Sequence, residues 1–339
     1  MHRSGTSLIG EALHRWGAFG RANECLQADT WNARGYWELS PLVSFNERLL
    51  QETGATWSFP PSQRDDSRLA LLAEDPAYKE EAHRLIASMK TGSAKTWFWK
   101  DPRLSLLLPF WQKIWGEVRY IICVRDPLEI CRSLKKRDDL SFPVSILLWQ
   151  RYMLSILEWT RRAPTIAIGY SRMLRNPAAE CARLSSFLEN SAGRLDCDGA
   201  TVEMAKAVDR ELRHFKSEGP PPSAVLTDSQ KELQEILESL ANRAPASAEL
   251  DLGRCSLPRV WRGSLKTNLL LLRCRRRLNR AYPDLSETWN DVSRTDRESV
   301  SKLGAIGALE TEPLWENRRG LSLSKEDFLS LAIAEWFRW

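Results

Sequence analysis

Two short apolar runs constrain this chain more than any other feature. Val118-Arg119-Tyr120-Ile121-Ile122-Cys123-Val124 and Thr165-Ile166-Ala167-Ile168 are nearly continuous and rich in β-branched side chains, the pattern of strands covered on both faces. Each leads toward a helix start. After the first come Asp126-Pro127-Leu128-Glu129, an N-cap, a proline at the first helical position and a glutamate at the third. After the second, Asn176-Pro177 opens a helix that carries Cys181, Leu184 and Leu188. Strands alternating with helices specify a parallel sheet. The expected fold is α/β, a three-layer domain around such a sheet.

The remaining elements fit around that frame. Leu8, Ile9, Ala12, Leu13 and Trp16 share one helical face, and Gly17 is the expected stop. Ser40-Pro41 reads as an N-cap followed by proline, with Leu42, Phe45 and Leu49 on the buried stripe. Helices are expected around 76–90, 104–115 and 143–162, and Thr96-Trp97-Phe98-Trp99 is expected to be a further short strand. Gly219-Pro220-Pro221-Pro222 marks a linker, and Thr227 to Gln230 opens a helix with Leu233, Ile236, Leu237 and Leu240 on one face. Past about residue 245 the strand signal ends. The division expected is a domain over 1–245 and a helical or irregular C-terminal extension over 246–339, with helical fragments near 264–280 and 324–338. In the extension, Leu269 to Leu272 adjoin Arg273, Arg275, Arg276, Arg277 and Arg280. That segment suits a helix docked by its leucines with solvated arginines, or one that meets a membrane surface, an acidic glycan or a partner protein.

Composition excludes several classes. A formal charge of +5 on 339 residues, from 49 basic and 44 acidic side chains, lacks the dense basic surplus of a nucleic-acid binder. Seven cysteines without a CxxC pair read as reduced thiols, and neither they nor the four histidines, which form no ligand-spaced cluster, signal a metal site. No apolar run approaches the ~20 residues that span a bilayer, and a cytoplasmic protein is expected. Trp37, Trp57, Trp97 and Trp99 suit either the core or the stacking wall of a sugar pocket.

The chemistry-bearing residues fall in two places. Arg3-Ser4-Gly5-Thr6-Ser7 sets a fixed cation, a glycine and hydroxyls where a helix begins, so N–H groups and the helix dipole converge on an anion. An ordinary polar helix start has the same look. It is not a Walker A loop, which needs a lysine in GxxxxGK[ST]. Arg125 stands at the carboxyl end of the first strand and Ser133 lies about two helical turns further on, within reach of one phosphate at the edge where open α/β sheets bind ligands. An Arg125 paired with Asp126 or Glu129, and a Ser133 turned against its own helix, is the plainer alternative.

Taken in order, HRSGTS at 2–7, GYWE at 35–38, KDPR at 100–103, YIICVRDPLEICRSLKKR at 120–137 and IGYSRMLRNP at 168–177 resemble the sulfotransferase family, in its broad bacterial, carbohydrate and tyrosylprotein-type branch. The resemblance covers about residues 1–240. It implies a P-loop-like α/β fold, 3′-phosphoadenosine 5′-phosphosulfate (PAPS) as donor, an acceptor hydroxyl and no metal. By position, Arg3, Ser4, Gly5, Thr6 and Ser7 resemble the loop that holds the 5′-phosphosulfate, and Arg125 with Ser133 resembles the pair that holds the 3′-phosphate. The two grips are expected at separate points of one sheet rim. In-line transfer needs a base, positive charge on the leaving oxygen and alignment. Arg3 and Lys100 can supply the charge, and Glu38 is the candidate base, with Asp101 and His214 as weaker alternatives, since the base varies among branches of that family. A helix-start placement with no catalytic role suits Glu38 as well.

In that family a strand precedes the phosphosulfate loop, whereas here Met1 stands two residues before Arg3. The expectation is a chain that begins upstream. A P-loop nucleotide kinase is the rival enzyme, disfavoured by the absent Walker lysine, and an inactive or truncated sulfotransferase-like binding module is the rival non-enzyme. A glycan is the first expectation for the acceptor, then a lipid or small metabolite.

Overall fold

The computed structural model describes residues 1–18, 24–30, 32, 35–61, 65–89, 97–140, 142–192 and 226–243. At its centre β1 (Tyr120–Val124) and β2 (Thr165–Gly169) pair in parallel, in register from Tyr120 opposite Thr165 to Val124 opposite Gly169. Because side chains alternate along a strand, the sheet serves two cores. Ile122, Val124 and Ala167 enter one, while Cys123, Ile166 and Ile168 enter the other.

The first core holds α2 (Ser40–Glu52), α3 (Asp65–Leu72), α4 (Pro76–Met89), α5 (Leu104–Trp111), α6 (Pro127–Asp138), α7 (Phe142–Thr160) and α10 (Asp228–Asn242). The second holds α1 (Thr6–Arg15), α8 (Tyr170–Arg175) and α9 (Pro177–Ala192). Helices on both faces of a parallel sheet make the three-layer α/β arrangement.

Local signals set several boundaries. Asp126 caps α6 by accepting from the Glu129 N–H at 2.9 Å. Thr227 and Gln230 form a complete capping box on α10, and Leu233, Leu237 and Leu240 are buried below it. Full burial of each such leucine stabilises by about 1.5–3 kcal/mol. At the end of α1, Gly17 takes φ +76° and Ala18 N–H donates to the Leu13 carbonyl at 3.1 Å, a glycine-centred stop.

Three expectations shift. Residues 97–100 form no strand; Trp99 packs edge-on against Trp111 and Trp115 at 4.4 and 5.7 Å, part-buried against the core where a ladder was expected. Ser40 is the first helical residue of α2 rather than its cap; Leu39 holds that position, bridged to Cys25. The helix expected over 104–115 ends at Trp111 and continues as turns. His214, the 219–222 linker and the extension from 246 onward lie outside the described residues.

Candidate active site

The carboxyl ends of β1 and β2 and the start of α1 meet at one rim. Gly5 turns the chain into α1 at φ +93°, and a Cβ there would stand 2.4 Å from Cδ2 of Tyr170, so only glycine passes between loop and ring. Arg3 also takes a left-handed conformation, φ +62°, and the Ser4 hydroxyl closes the turn by donating to the Met1 carbonyl at 2.7 Å. Arg125, the residue after β1, lies over the same ring, its guanidinium carbon 4.3 Å from the Tyr170 centroid.

The motif residues from the two distant segments touch directly, so the two grips, expected at separate points of the rim, adjoin each other where Arg3 meets α6. Arg3 Nε donates to Ser133 Oγ at 2.7 Å, and Arg125 Nη1 donates to the Arg3 carbonyl at 2.9 Å. Arg125 also pairs with Glu129 at 3.1 Å, as the plainer reading has it. Ser133 instead accepts across 130 residues of chain, because α6 presents it toward the Arg3 turn. One turn further along α6, Arg137 pairs with Asp138 at 2.8 and 3.0 Å and lies 5.5 Å above the Trp57 ring. Burial, with the charges of Arg137 and Arg125, lowers Arg3 to about 10. A guanidinium under that pressure stays charged at neutral pH and gains from any anion brought to it.

A second group lies at the first turn of α1. Ser7 Oγ accepts from Asn32 Nδ2 at 3.0 Å and from Lys100 Nζ at 3.4 Å. Lys100 also pairs with Glu38 Oε1, while Arg103 Nη1 reaches Glu38 Oε2 at 3.4 Å. Glu38 arrives through a bent loop. Gly35 and Trp37 both take positive φ, +83° and +56°. Trp37 is pressed onto α1, where its ring lies 4.5 Å from that of His14 and its Cβ would stand 3.0 Å from a Cβ on Gly10. The clamp turns the next side chain, Glu38, into the buried interior.

The structure thus brings together Arg3, Arg125 and Ser133 in one group and Ser7, Lys100 and Glu38 in the other, joined by the first turn of α1. Asp101 is taken up in fixing Arg103. It accepts from the Arg103 N–H at 2.9 Å, Arg103 Nη1 at 3.1 Å and Asn46 Nδ2 at 2.8 Å, and Asn46 in turn accepts from Trp111 at 2.9 Å. Of the four tryptophans considered for a sugar wall, Trp99 belongs to the core, Trp37 clamps the loop, and Trp57 lies between His2 and Arg137; Trp97 packs part-buried on the core. Burial and the nearby charges of Arg103 and Arg137 hold His2 well below the ordinary histidine range.

Sequence reasoning passed over Asn32, Asn46, Arg137 and Tyr170. Asn46 had a signal: it lies four residues after Leu42 on the apolar stripe of α2, where a polar side chain implies a buried partner. Arg137 likewise follows Ser133 by four on α6. Asn32 and Tyr170 meet the site only through tertiary packing. Among the described residues no group of three or more His, Cys, Asp and Glu side chains is placed to hold a metal ion, and no described helix is long and apolar enough to cross a membrane.

The sequence model of the Sulfotransferase family matches residues 1–191, more than half of the 339-residue chain. Comparison with curated proteins and with solved structures returns no match.

Proposed function

Because the chain belongs to the sulfotransferase family, we propose that it moves a sulfuryl group from PAPS to an acceptor hydroxyl, on a glycan, lipid or small metabolite, without a metal. The observation that carries this reading is the meeting of Arg3, Arg125 and Ser133 at the sheet rim, with the Lys100–Glu38 pair tied through Lys100 to Ser7 in the first turn of α1. Convergent guanidinium groups beside the free N–H groups of a helix start suit a phosphorylated anion. A Gly5 turn with no room for a Cβ lets backbone approach it closely.

PAPS supplies a sulfuryl group activated by its bond to phosphate. Residues 3–7 hold the 5′ end, with the Thr6 and Ser7 hydroxyls and the first-turn N–H groups as donors. Arg125 and Ser133 hold the 3′-phosphate. Lys100 and Arg3 set positive charge beside the leaving oxygen, and Glu38 receives the proton of the acceptor hydroxyl. The buried, reduced cysteines Cys123, Cys131 and Cys181 suit a cytoplasmic setting. Residues 1–245 are read as the catalytic domain, because α10 packs on the β-sheet beyond the family match. The remainder is read as an extension that meets a partner or the acceptor.

The test is transfer of labelled sulfate from PAPS to a mixed pool of oligosaccharides, lipids and small hydroxylated metabolites, with calorimetry against adenosine 3′,5′-bisphosphate alongside. Arg3→Ala and Lys100→Ala are each expected to lose at least ~100-fold in turnover. Near-normal turnover in both overturns the roles given. Tight bisphosphate binding with no transfer to any member of the pool favours a binding module instead.

A further inference from the structure

The KDPR turn holds a second buried cation whose place in the reaction the motif does not reveal. Lys100 and Arg103 lie three residues apart and divide one carboxylate: Lys100 takes Glu38 Oε1 and Arg103 Nη1 takes Oε2. The side chains of Glu38, Lys100 and Arg103 are all below 10% exposed, so these contacts are not screened by solvent. Arg103 is itself fixed by Asp101 at 3.1 Å and by Glu47 at 3.0 Å. Asp101 is pinned in turn by Asn46, which Trp111 holds in place. Two buried carboxylates, Glu38 and Asp101, balance two buried cations, and the half-exposed Glu47 closes the outer side. Among the described residues, the buried Arg103 Nε has no hydrogen-bond partner. Its two terminal nitrogens serve carboxylates, Glu38 among them.

We propose that Arg103 is a positioning residue for Glu38. This rests on the reading of Glu38 as the base. Lys100 is shared between Glu38 Oε1 and Ser7 Oγ, so it can turn to the leaving oxygen and uncover Oε1. Arg103 keeps Oε2 throughout, and the carboxylate stays aimed while it is open. The acceptor O–H then gives its proton to Oε1 and its oxygen bonds to sulfur. The bond from sulfur to the bridging phosphate oxygen breaks, and its electron pair remains on that oxygen beside Lys100. Without Arg103 the carboxylate turns freely when Lys100 leaves, and alignment is lost.

Release of inorganic sulfate from PAPS, with water as the acceptor, gives a probe reaction that needs no identified substrate. Arg103→Met is expected to lower kcat about 100-fold while the KM for PAPS stays within about threefold. Calorimetric binding of adenosine 3′,5′-bisphosphate is also expected to stay within about threefold, and Glu38→Gln/Arg103→Met to be no slower than Glu38→Gln alone. Arg103→Lys retains the charge and is expected to lose only about tenfold in kcat; it carries the same kcat-against-KM reading if the Met variant fails to fold. A kcat near wild type in Arg103→Met, with Glu38→Gln inactive, overturns the positioning role and leaves the base intact. Bisphosphate affinity falling in parallel with kcat makes Arg103 structural and also overturns it. Full turnover in Glu38→Gln removes the base itself, and the positioning role with it.

Discussion

The close fit of Gly5 against Tyr170 decides how the first turn of α1 is presented. A Cβ at Gly5 would stand 2.4 Å from the ring and would also sit at φ +93°, two penalties of different origin. The backbone penalty alone is about 1–2 kcal/mol. Gly17 isolates that part, since it takes φ +76° with nothing among the described residues within 4 Å of the added Cβ. Gly17→Ala is therefore expected to cost about 1–2 kcal/mol in urea unfolding, and Gly5→Ala more than that, because Tyr170 must also move. Tyr170 underlies Arg125, so Gly5→Ala is further expected to weaken binding of adenosine 3′,5′-bisphosphate while Gly17→Ala leaves it unchanged. Equal costs for the two variants would show that the ring yields freely and that the turn is not shaped by it.

At the scale of elements, α10 tests where the domain ends. It lies beyond the family match, yet Leu233, Leu237 and Leu240 pack in the core that also holds Ile122 and Ala167 of the sheet. Leu237→Ala is expected to destabilise by about 2–5 kcal/mol in chemical denaturation; a loss under about 1 kcal/mol would mean that the helix does not dock there. This helix was legible in the sequence because its cap and apolar stripe are local features, as were β1, β2 and the Asp126 start of α6. Residues 97–99 were not. Their aromatic character suits a strand and a core equally, and the choice is made by Trp111 and Trp115, which lie in a later segment. The site divides in the same way. Motif order pointed to Arg3, Arg125, Ser133, Lys100 and Glu38, but the Arg3–Ser133 contact spans 130 residues, and no spacing rule reaches that far. The Arg103 link to Glu38 spans 65 residues and was equally hidden, whereas its pairing with Asp101 two residues away was open to view.

Across the whole molecule, burial of titratable groups sets the pH range in which the fold is most stable. Burial holds His2 neutral, well below its ordinary 6.5. The unfolded chain therefore binds the extra proton first, and stability falls as pH drops below about 6.5. Burial raises Cys123 and Cys25 to about 11 from 9.0. There the unfolded chain releases protons first, so stability is full below about 9 and falls as pH rises beyond it. Asp66 and Asp138 are also raised by burial and act against His2, favouring the fold as acid protonates them. A histidine-specific comparison separates the two. Between pH 7.5 and 5.5 the wild-type melting temperature is expected to fall further than that of His2→Phe, which retains an aromatic ring against Trp57 and Tyr152 but has no proton to take up. Between pH 7.5 and 9.5 Cys123→Ala is expected to show the shallower decline of the corresponding pair. Parallel profiles for wild type and His2→Phe would place the acid sensitivity elsewhere. The ring of His2 would then have to reach a partner once protonated, despite the surrounding charges of Arg103, Arg137 and Lys100.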